Sequence, residues 1–191
     1  MDIKSDMKKS VRAFKKFTVH ATKAHFGDDA QIHSYEGSDN PAERELDLKF
    51  GIDGVVTNGE GWAHFYASRV QFLKYGGLSF NTFTVRGFRP SGTATEIDKL
   101  RHGQKVDEPK PEYHIQAYVD GDGRGAVVGI CETVELYQYI ERHKPEMQYN
   151  RSDHVGFYPV KFSAIDGVRV FYVAESGNVT DITAKVKASA A

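Results

Sequence analysis

Residues 43–71 contain the pattern that most constrains the fold of this chain. The segment reads ERELDLKFGIDGVVTNGEGWAHFYASRVQ, and Asn58 and Gly59 separate two runs of strand-forming residues. An Asn-Gly pair is typical of the tight turn of a β-hairpin. Upstream, Asn40 as a cap and Pro41 in the first turn predict a helix start. The helix must be short because LKFGIDGVV already reads as a strand. The segment therefore predicts a short helix followed by an antiparallel hairpin.

The rest of the chain contributes more hairpins than crossovers. Two further strand pairs flank the turns GDGRG (EYHIQAYVD and AVVGICETV) and Asp166-Gly167 (FYPVKFSAI and VRVFYVAES), and LSFNTFTVRGF forms another strand. Helices are predicted at 8–25, ended by Gly27, at Thr95–Arg101, and from Val134 to His143 with Thr133 as the cap. This pattern predicts an α/β (α+β) fold with a central mixed, mainly antiparallel sheet of about seven strands, flanked by three or four helices.

Length and composition favour one folded domain. We expect residues 1–183 to form a single globular unit that includes a basic N-terminal helix at 1–27, and residues 184–191 to fray. No apolar run approaches the roughly 20 residues that cross a bilayer, and no signal-type apolar segment follows the start, so no membrane partner is expected. The single cysteine, Cys131, excludes an internal disulfide and is typical of a reducing, cytoplasmic location. Its apolar neighbours predict a buried, inert thiol.

Charge is segregated along the sequence although the net charge is only −1. Residues 1–25 carry +5, residues 26–60 carry −7, residues 61–110 carry +4 and the remainder carries −3. Alternating blocks could place a carboxylate site between cationic walls, which suits a polyanionic substrate such as a nucleic acid. The alternative is that these charges are spread over solvated faces.

Asp53 is the first candidate site residue. It lies in the run FGIDGVV, and an acid among apolar residues is costly to bury unless a cation or a metal ion neutralises it. Glu45 and Asp47, near the end of the preceding helix, could join Asp53 at one hard divalent cation, so Glu45, Asp47 and Asp53 are the candidate ligands for Mg²⁺. The alternative is that Asp53 belongs to a turn or pairs with an arginine.

Arg69 and Gln71 are the candidate partners of Asp53 on the return strand. Strand alternation places both side chains on the same face, two residues apart. Polar side chains in a central strand need partners, and a salt bridge between Arg69 and Asp53 is the structural explanation. The functional one makes Arg69 a phosphate clamp and Gln71 a group that orients water or metal.

These elements resemble the PD-(D/E)XK, or restriction-endonuclease-like, nuclease superfamily. The resemblance covers about residues 40–75: a helix with Glu45, a strand with Asp53, and a hairpin into a strand with paired polar residues. It implies magnesium bound by Asp53 and a second acid, with a lysine that positions the attacking water. Arg69 stands where that family usually has glutamate, and Gln71 stands where it usually has lysine. The arginine is a departure that requires Glu45 or Asp47 to supply the second carboxylate.

A second polar cluster follows in FTVRGFRPSGTATEIDKLRHGQK. Arg86, Arg89 and Lys99 are the candidate substrate-binding residues, because arginine pairs with phosphate in a bidentate manner and glycine-rich loops offer backbone donors. Glu96 on the same predicted helix is a further candidate for the missing carboxylate. The alternative is a solvated basic loop beside core aromatic residues.

Three functions are compatible with this sequence. The first is a magnesium-dependent nuclease, that is, a metal-dependent endonuclease or phosphodiesterase that acts on nucleic acid. The second is a catalytically inactive module that binds nucleic acid or protein on the same fold. The third is a protein with a pocket for a small ligand. Nucleases of the resembling superfamily often act as homodimers, but no segment of this sequence specifies an interface.

Overall fold

A computed structural model describes residues 3–73, 81–103, 108–150 and 153–189, with backbone only for residues 3–7. The chain begins with a long helix in three parts: α1 (Ile3–Ala13), a π-helical turn (Phe14–Thr18) and α2 (Val19–Phe26). Gly27 ends it with φ +116°, a value that glycine adopts without strain. The predicted helix is confirmed over the described residues.

The short helix predicted after Asn40 is also present. The Asn40 side chain accepts a hydrogen bond of 3.0 Å from the Ala42 amide, so it caps α3 (Pro41–Glu45). A π-helical turn (Leu46–Phe50) continues this helix. The prediction that LKF already begins a strand was wrong, because these residues remain helical and the strand starts only at Gly54.

The main sheet contains seven strands in the described part of the chain. Their spatial order is β1-β2-β3-β5-β6-β9-β10, and β3 and β5 are parallel whereas the other neighbours are antiparallel. The strands are β1 (Gln31–Ser34), β2 (Gly54–Thr57), β3 (Ala63–Phe72), β5 (Tyr113–Val119), β6 (Gly125–Glu132), β9 (Arg169–Ala174) and β10 (Val179–Asp181). The predicted fold class is confirmed: a mixed, mainly antiparallel sheet with flanking helices.

A second, three-stranded sheet has the order β4-β8-β7. It consists of β4 (Thr82–Phe88), β7 (Gln148–Tyr149) and β8 (Gly156–Lys161), and the remaining helices are α4 (Glu96–Gly103), α5 (Thr133–His143) and α6 (Thr183–Ala188). The strand predicted over 78–88 is confirmed from residue 82, and residues 78–80 lie outside the described residues.

Two hydrophobic clusters occupy the two faces of the main sheet. Val128 of β6 packs with Phe14 and Phe17 of the N-terminal helix, whereas Val127 packs with Phe83 of β4 in the second cluster. Successive residues of a strand point to opposite faces, so β6 is buried on both sides. This explains why β6 reads as a nearly continuous apolar run. Among the described helices, none is both long and apolar enough to cross a lipid bilayer.

Three local predictions were wrong. Residues on either side of Asp166-Gly167 do not form a hairpin, because β8 pairs with β4 in the small sheet whereas β9 pairs with β6 in the main one. Thr133 does not cap α5 with its side chain. The C-terminal segment, predicted to fray from residue 184, forms α6, and Val186 packs against the second cluster.

Candidate functional site

A cavity of about 370 Å³ lies where the start of β2, the middle of β3, the end of β4 and helix α4 meet. It is lined by charged side chains of both signs, and we call it the charged cavity. The acidic lining residues are Glu36, Asp47, Asp53 and Glu96. The basic lining residues are Arg69, Arg86, Arg89 and Lys99, together with the imidazole of His114. Segments distant in sequence therefore place four carboxylates and four cations around one space.

Most of the residues singled out in the sequence meet at this cavity. Asp47, Asp53, Arg69, Arg86, Arg89 and Lys99 all line it. Two predicted residues do not. Glu45 is exposed on α3, and Gln71 lies further along β3, beyond the lining residues. The geometry thus gives neither Glu45 nor Gln71 a part in the site.

The backbone around Asp53 is fixed from both sides. Its amide donates to the carbonyl of Tyr66 on β3 at 2.8 Å, and its carbonyl accepts from the amide of Tyr35 at 2.7 Å. The next residue, Gly54, tolerates no side chain: an added Cβ would lie 2.3 Å from the His33 carbonyl oxygen and 2.4 Å from the Tyr66 hydroxyl. This close packing sets the direction in which the Asp53 side chain leaves the backbone just before β2.

The carboxylate of Asp53 is partly buried and faces other acids. Its Oδ2 accepts a hydrogen bond of 2.5 Å from the amide of Ser68. Burial raises the pKa of Asp53 to about 7, helped by the charges of Asp47, Glu96 and Glu36 and opposed by the Ser68 amide. The pKa of Asp53 therefore lies near neutral pH, far above its ordinary value of 3.8, unless a cation compensates its charge.

Two neighbouring carboxyls show the same tendency. Burial raises the pKa of Asp47, against the opposing charge of Lys99, and burial and the Asp47 charge raise the pKa of Glu36. Lys99 compensates only part of the negative charge of these carboxyls, because its ammonium donates hydrogen bonds to backbone carbonyls. It donates to the carbonyls of Asp47 at 3.2 Å and Leu48 at 2.7 Å, near the end of the π-helical turn. The cavity therefore has an acidic half, formed by Asp47, Glu36 and Asp53, in which nearby cations do not balance the negative charge.

The other half of the cavity is built on an ion pair. Arg69 of β3 donates through Nη2 to Glu96 Oε1 of α4 and through Nη1 to the hydroxyl of Thr84 at 3.3 Å. The second oxygen of Glu96 accepts from the Arg86 amide at 2.9 Å. The Arg86 guanidinium lies 4.0 Å from Oε1. The expected salt bridge between Arg69 and Asp53 is not formed, because Glu96 takes the arginine instead.

The pKa of Glu96 shows the effect of these partners. Burial alone would raise it, but the charges of Arg69, His114 and Arg86 and the bond from the Arg86 amide together lower the pKa below the ordinary value. Glu96 is therefore ionised at neutral pH. Two carboxyls that line one cavity, Asp53 and Glu96, have pKa values displaced in opposite directions.

Two further polar side chains, His114 and Gln116, share one face of β5. His114 is only 4% exposed, its pKa is lowered to about 4 by burial and by Arg69, against the effect of Glu96, and its Nε2 has no hydrogen-bond partner among the described residues. Gln116 accepts from the Thr84 hydroxyl at 2.9 Å. The parallel pairing of β5 with β3 places both beside Arg69. That pairing has no local sequence signal.

The donor set fits a hard divalent cation only in part. Carboxylate oxygens are the ligands that Mg²⁺ prefers, and the acidic half offers Asp53 and Asp47. Both oxygens of Glu96 already accept hydrogen bonds from arginine. In the described part of the chain, no three His, Cys, Asp or Glu side chains are close enough to form a complete metal cage. Mg²⁺ commonly binds through one or two carboxylates with water and substrate phosphate as further ligands, and the acidic half is compatible with that mode.

Comparisons with protein-family models, with curated proteins and with solved structures gave no match for this chain. The interpretation of the charged cavity therefore depends on its own geometry and charge.

Proposed function

We propose that this protein is a magnesium-dependent, nuclease-like protein that hydrolyses phosphodiester bonds of nucleic acid in the charged cavity. One observation carries the proposal: Asp53, with its pKa raised to about 7 by burial and by neighbouring carboxyls, shares a cavity with Arg69, Arg86, Arg89 and Lys99. In a divalent-cation site without its ion, the negative charges of neighbouring carboxylates are uncompensated, and each carboxylate raises the pKa of the others. The adjacent cations suit the phosphate of a polyanionic substrate.

In this proposal, Asp53 and Asp47 hold the metal ion. A bound Mg²⁺ would generate a hydroxide-like nucleophile from its water and neutralise charge on the phosphate. The Ser68 amide keeps Asp53 oriented through its 2.5 Å hydrogen bond. Binding of the cation would lower the pKa of Asp53, so both carboxyls would be ionised at neutral pH. Neither Glu45 nor Gln71 is needed for this role.

The substrate is held by the basic lining residues. Arg86, Arg89 and Lys99 extend from the end of β4, the loop after it and α4, so they approach the cavity from one side. Arg86 and Arg89 can each donate two hydrogen bonds to one phosphate, whereas Lys99 acts as a point charge. Arg69 is already bonded to Glu96 and positions that wall rather than binding substrate directly.

Cleavage of labelled single- and double-stranded DNA and RNA in the presence of Mg²⁺, Mn²⁺ or EDTA tests this function. We expect cleavage with either metal, none with EDTA, and at least a roughly 100-fold lower rate for Asp53→Asn, because the variant loses a metal ligand. Glu45→Gln is the matched control, since it removes an exposed carboxylate nearby and should cleave at the wild-type rate. Equal cleavage by wild type and Asp53→Asn would refute the assignment.

A second candidate is a module on the same fold that binds nucleic acid without cleaving it. The Arg69–Glu96 pair favours this alternative. Arg69 stands where the resembling superfamily usually has a glutamate ligand, and both oxygens of Glu96, a candidate replacement, already accept hydrogen bonds. This function predicts binding that weakens steeply with salt, is indifferent to EDTA and leaves the nucleic acid intact. Cleavage that depends on added Mg²⁺ decides between the two functions.

Location and assembly complete the proposal. We infer a cytoplasmic location from the single cysteine, Cys131, which is buried and unpaired. A homodimer is part of the proposal only by resemblance to nucleases. Light scattering of the purified full chain would measure its mass in solution.

A further inference from the structure

The exposed face of the N-terminal helix carries a concentration of basic side chains outside the charged cavity. Between residues 8 and 26 the sequence has six Lys and Arg residues and no acid. The exposed members are Lys8, Lys9, Arg12, Lys15 and Lys16. Lys16 is bonded to Glu175 at 2.9 Å. The described residues provide no ion-pair partner for the other four. We call Lys8, Lys9, Arg12 and Lys15 the basic stripe.

We propose that the basic stripe binds the phosphate backbone of nucleic acid and extends the substrate footprint beyond the charged cavity. This inference rests on the proposed nucleic-acid substrate. Ser10 of the same helix lines the cavity from the helix face that packs on the sheet, so the stripe lies on the outer side of a helix that borders the site. Unpaired cations attract a polyanion through release of its counterions, without any requirement for base sequence.

The other face of the helix decides what kind of partner fits. Basic amphipathic helices also bind anionic membranes, where an apolar face inserted among the lipid headgroups adds to the electrostatic attraction. Here that face is already used: Phe14, Phe17 and Ala21 are at most 5% exposed and pack in the first hydrophobic cluster. Insertion would require the helix to leave the sheet. A rigid helix that offers charge alone fits a nucleic-acid backbone better than a lipid surface.

The dimensions of the stripe suit an extended contact. Residues 8–15 span roughly 10 Å of helix at about 1.5 Å per residue. This length matches about three phosphates along one strand, at roughly 3.4 Å of helix axis for each. The stripe should therefore contribute affinity and salt dependence, but no chemistry and no sequence preference.

The test measures binding of fluorescein-labelled single- and double-stranded DNA to the full chain in EDTA, so that cleavage is not part of the readout. The stripe variant combines Lys8→Gln, Lys9→Gln, Arg12→Gln and Lys15→Gln. The control variant combines Arg124→Gln, Arg142→Gln, Lys161→Gln and Lys185→Gln, four exposed cations elsewhere. Both variants lose the same total charge, so any difference between them comes from the position of the lost charge.

We expect the stripe variant to bind DNA at least tenfold more weakly than the control variant at moderate salt. The slope of log affinity against log salt should fall by about three for the stripe, because each lost phosphate contact removes roughly 0.7–0.9. Equal losses in the two variants, or no loss in the stripe variant, would overturn the inference. Binding to anionic vesicles that needs the stripe, with DNA binding unchanged, would overturn it in favour of a membrane.

Two further variants guard against a folding artefact. Lys8→Arg with Lys9→Arg and Lys15→Arg keeps the charge and should keep the affinity, whereas Arg12→Gln alone should lower the salt slope by slightly less than one. Stripe-dependent DNA binding without any cleavage would sustain the stripe while the proposed nuclease fails. Metal-dependent cleavage together with unchanged DNA binding in the stripe variant would sustain the proposed nuclease and overturn the inference about the stripe.

Discussion

The two halves of the charged cavity solve the same electrostatic problem differently. In one half, the partly buried Glu96 accepts hydrogen bonds from Arg69 and from the Arg86 amide, and its pKa is lowered. In the other half, Asp53 has one amide donor and three acidic neighbours, and its pKa is raised to about 7. Protein cations thus compensate one carboxylate fully, whereas the other requires a proton or an external cation. This difference separates a structural ion pair from a candidate binding site.

The largest expected effect concerns the free-energy cost of ionising Asp53 in the folded protein. Its folded pKa of about 7 exceeds the ordinary value of 3.8, so the folded state binds the proton more tightly than the unfolded state. Stability should then fall as pH rises from about 4 to about 7, and the loss should be complete above pH 7. Relative to Asp53→Asn, the wild type should lose up to about 4 kcal/mol across this window. Urea unfolding of both proteins at several pH values measures it.

A constant difference between the wild type and Asp53→Asn from about pH 4 to about pH 8 would contradict this comparison. It would mean that Asp53 titrates with its ordinary pKa. The amide oxygen introduced by Asp53→Asn can still accept the hydrogen bond from the Ser68 amide, so the two proteins differ mainly in charge.

The second prediction concerns the compensated half. Glu96→Gln removes the charge that Arg69 and Arg86 share, and it should lower the free energy of unfolding at pH 7 by about 2–3 kcal/mol, because it leaves partly buried guanidinium groups uncompensated. The side chains of Glu96 and Arg69 are 25% and 18% exposed. Glu141→Gln is the control, since Glu141 pairs with Arg101 on the surface and should cost less than about 1 kcal/mol. Equal costs in urea unfolding would remove the distinction between a buried pair and a surface pair.

Bound Mg²⁺ should compensate the charge of Asp53, as Arg69 compensates the charge of Glu96 in the other half of the cavity. If Asp53 and Asp47 bind Mg²⁺ with a Kd of about 1 mM, then about 10 mM Mg²⁺ should stabilise the wild type by about 1.4 kcal/mol at pH 8. Thermal unfolding against sodium chloride of equal ionic strength measures the effect. Asp53→Asn should show none of it, whereas Glu45→Gln should show all of it. Stabilisation that survives in Asp53→Asn would place the ion elsewhere.

The smallest effect concerns the lysine between the halves. Lys99→Met removes hydrogen bonds to the carbonyls of Asp47 and Leu48, and it should cost about 1 kcal/mol in urea unfolding. The pKa of Asp47 should rise further, because Lys99 opposes the effect of burial there. Lys185→Met, at an exposed position, should be neutral. An unchanged Asp47 pKa, followed by NMR, would show that Lys99 does not compensate the acidic half.

Local signals predicted local features well. The Asn40 cap and the hairpin of β5 and β6 follow from turn and capping chemistry within a few residues. Alternation along β3 predicted the face of Arg69, and Arg69 lines the same cavity as Asp53. Alternation gives the face of a strand but not its neighbour, so it also suggested a role for Gln71, which lies beyond the cavity.

The features that sequence analysis missed depend on contacts between distant segments. The partner of Arg69 is Glu96, which reaches it only because α4 folds back over β4. The hairpin predicted at Asp166-Gly167 was wrong for a similar reason, because β8 pairs with β4 rather than with β9. Both strands carry strand-forming residues, and such residues do not specify which sheet a strand joins.

The parallel pairing of β3 with β5 also affects how the site assembles during folding. Asp53 and Arg69 belong to one local hairpin, whereas Glu96 lies in the long connection that must close before β5 can pair. Closing a long loop has an entropic cost that local hairpins avoid, so non-local contacts form late. The Arg69–Glu96 pair, and with it the compensated half of the cavity, is therefore expected to form only after this connection has closed.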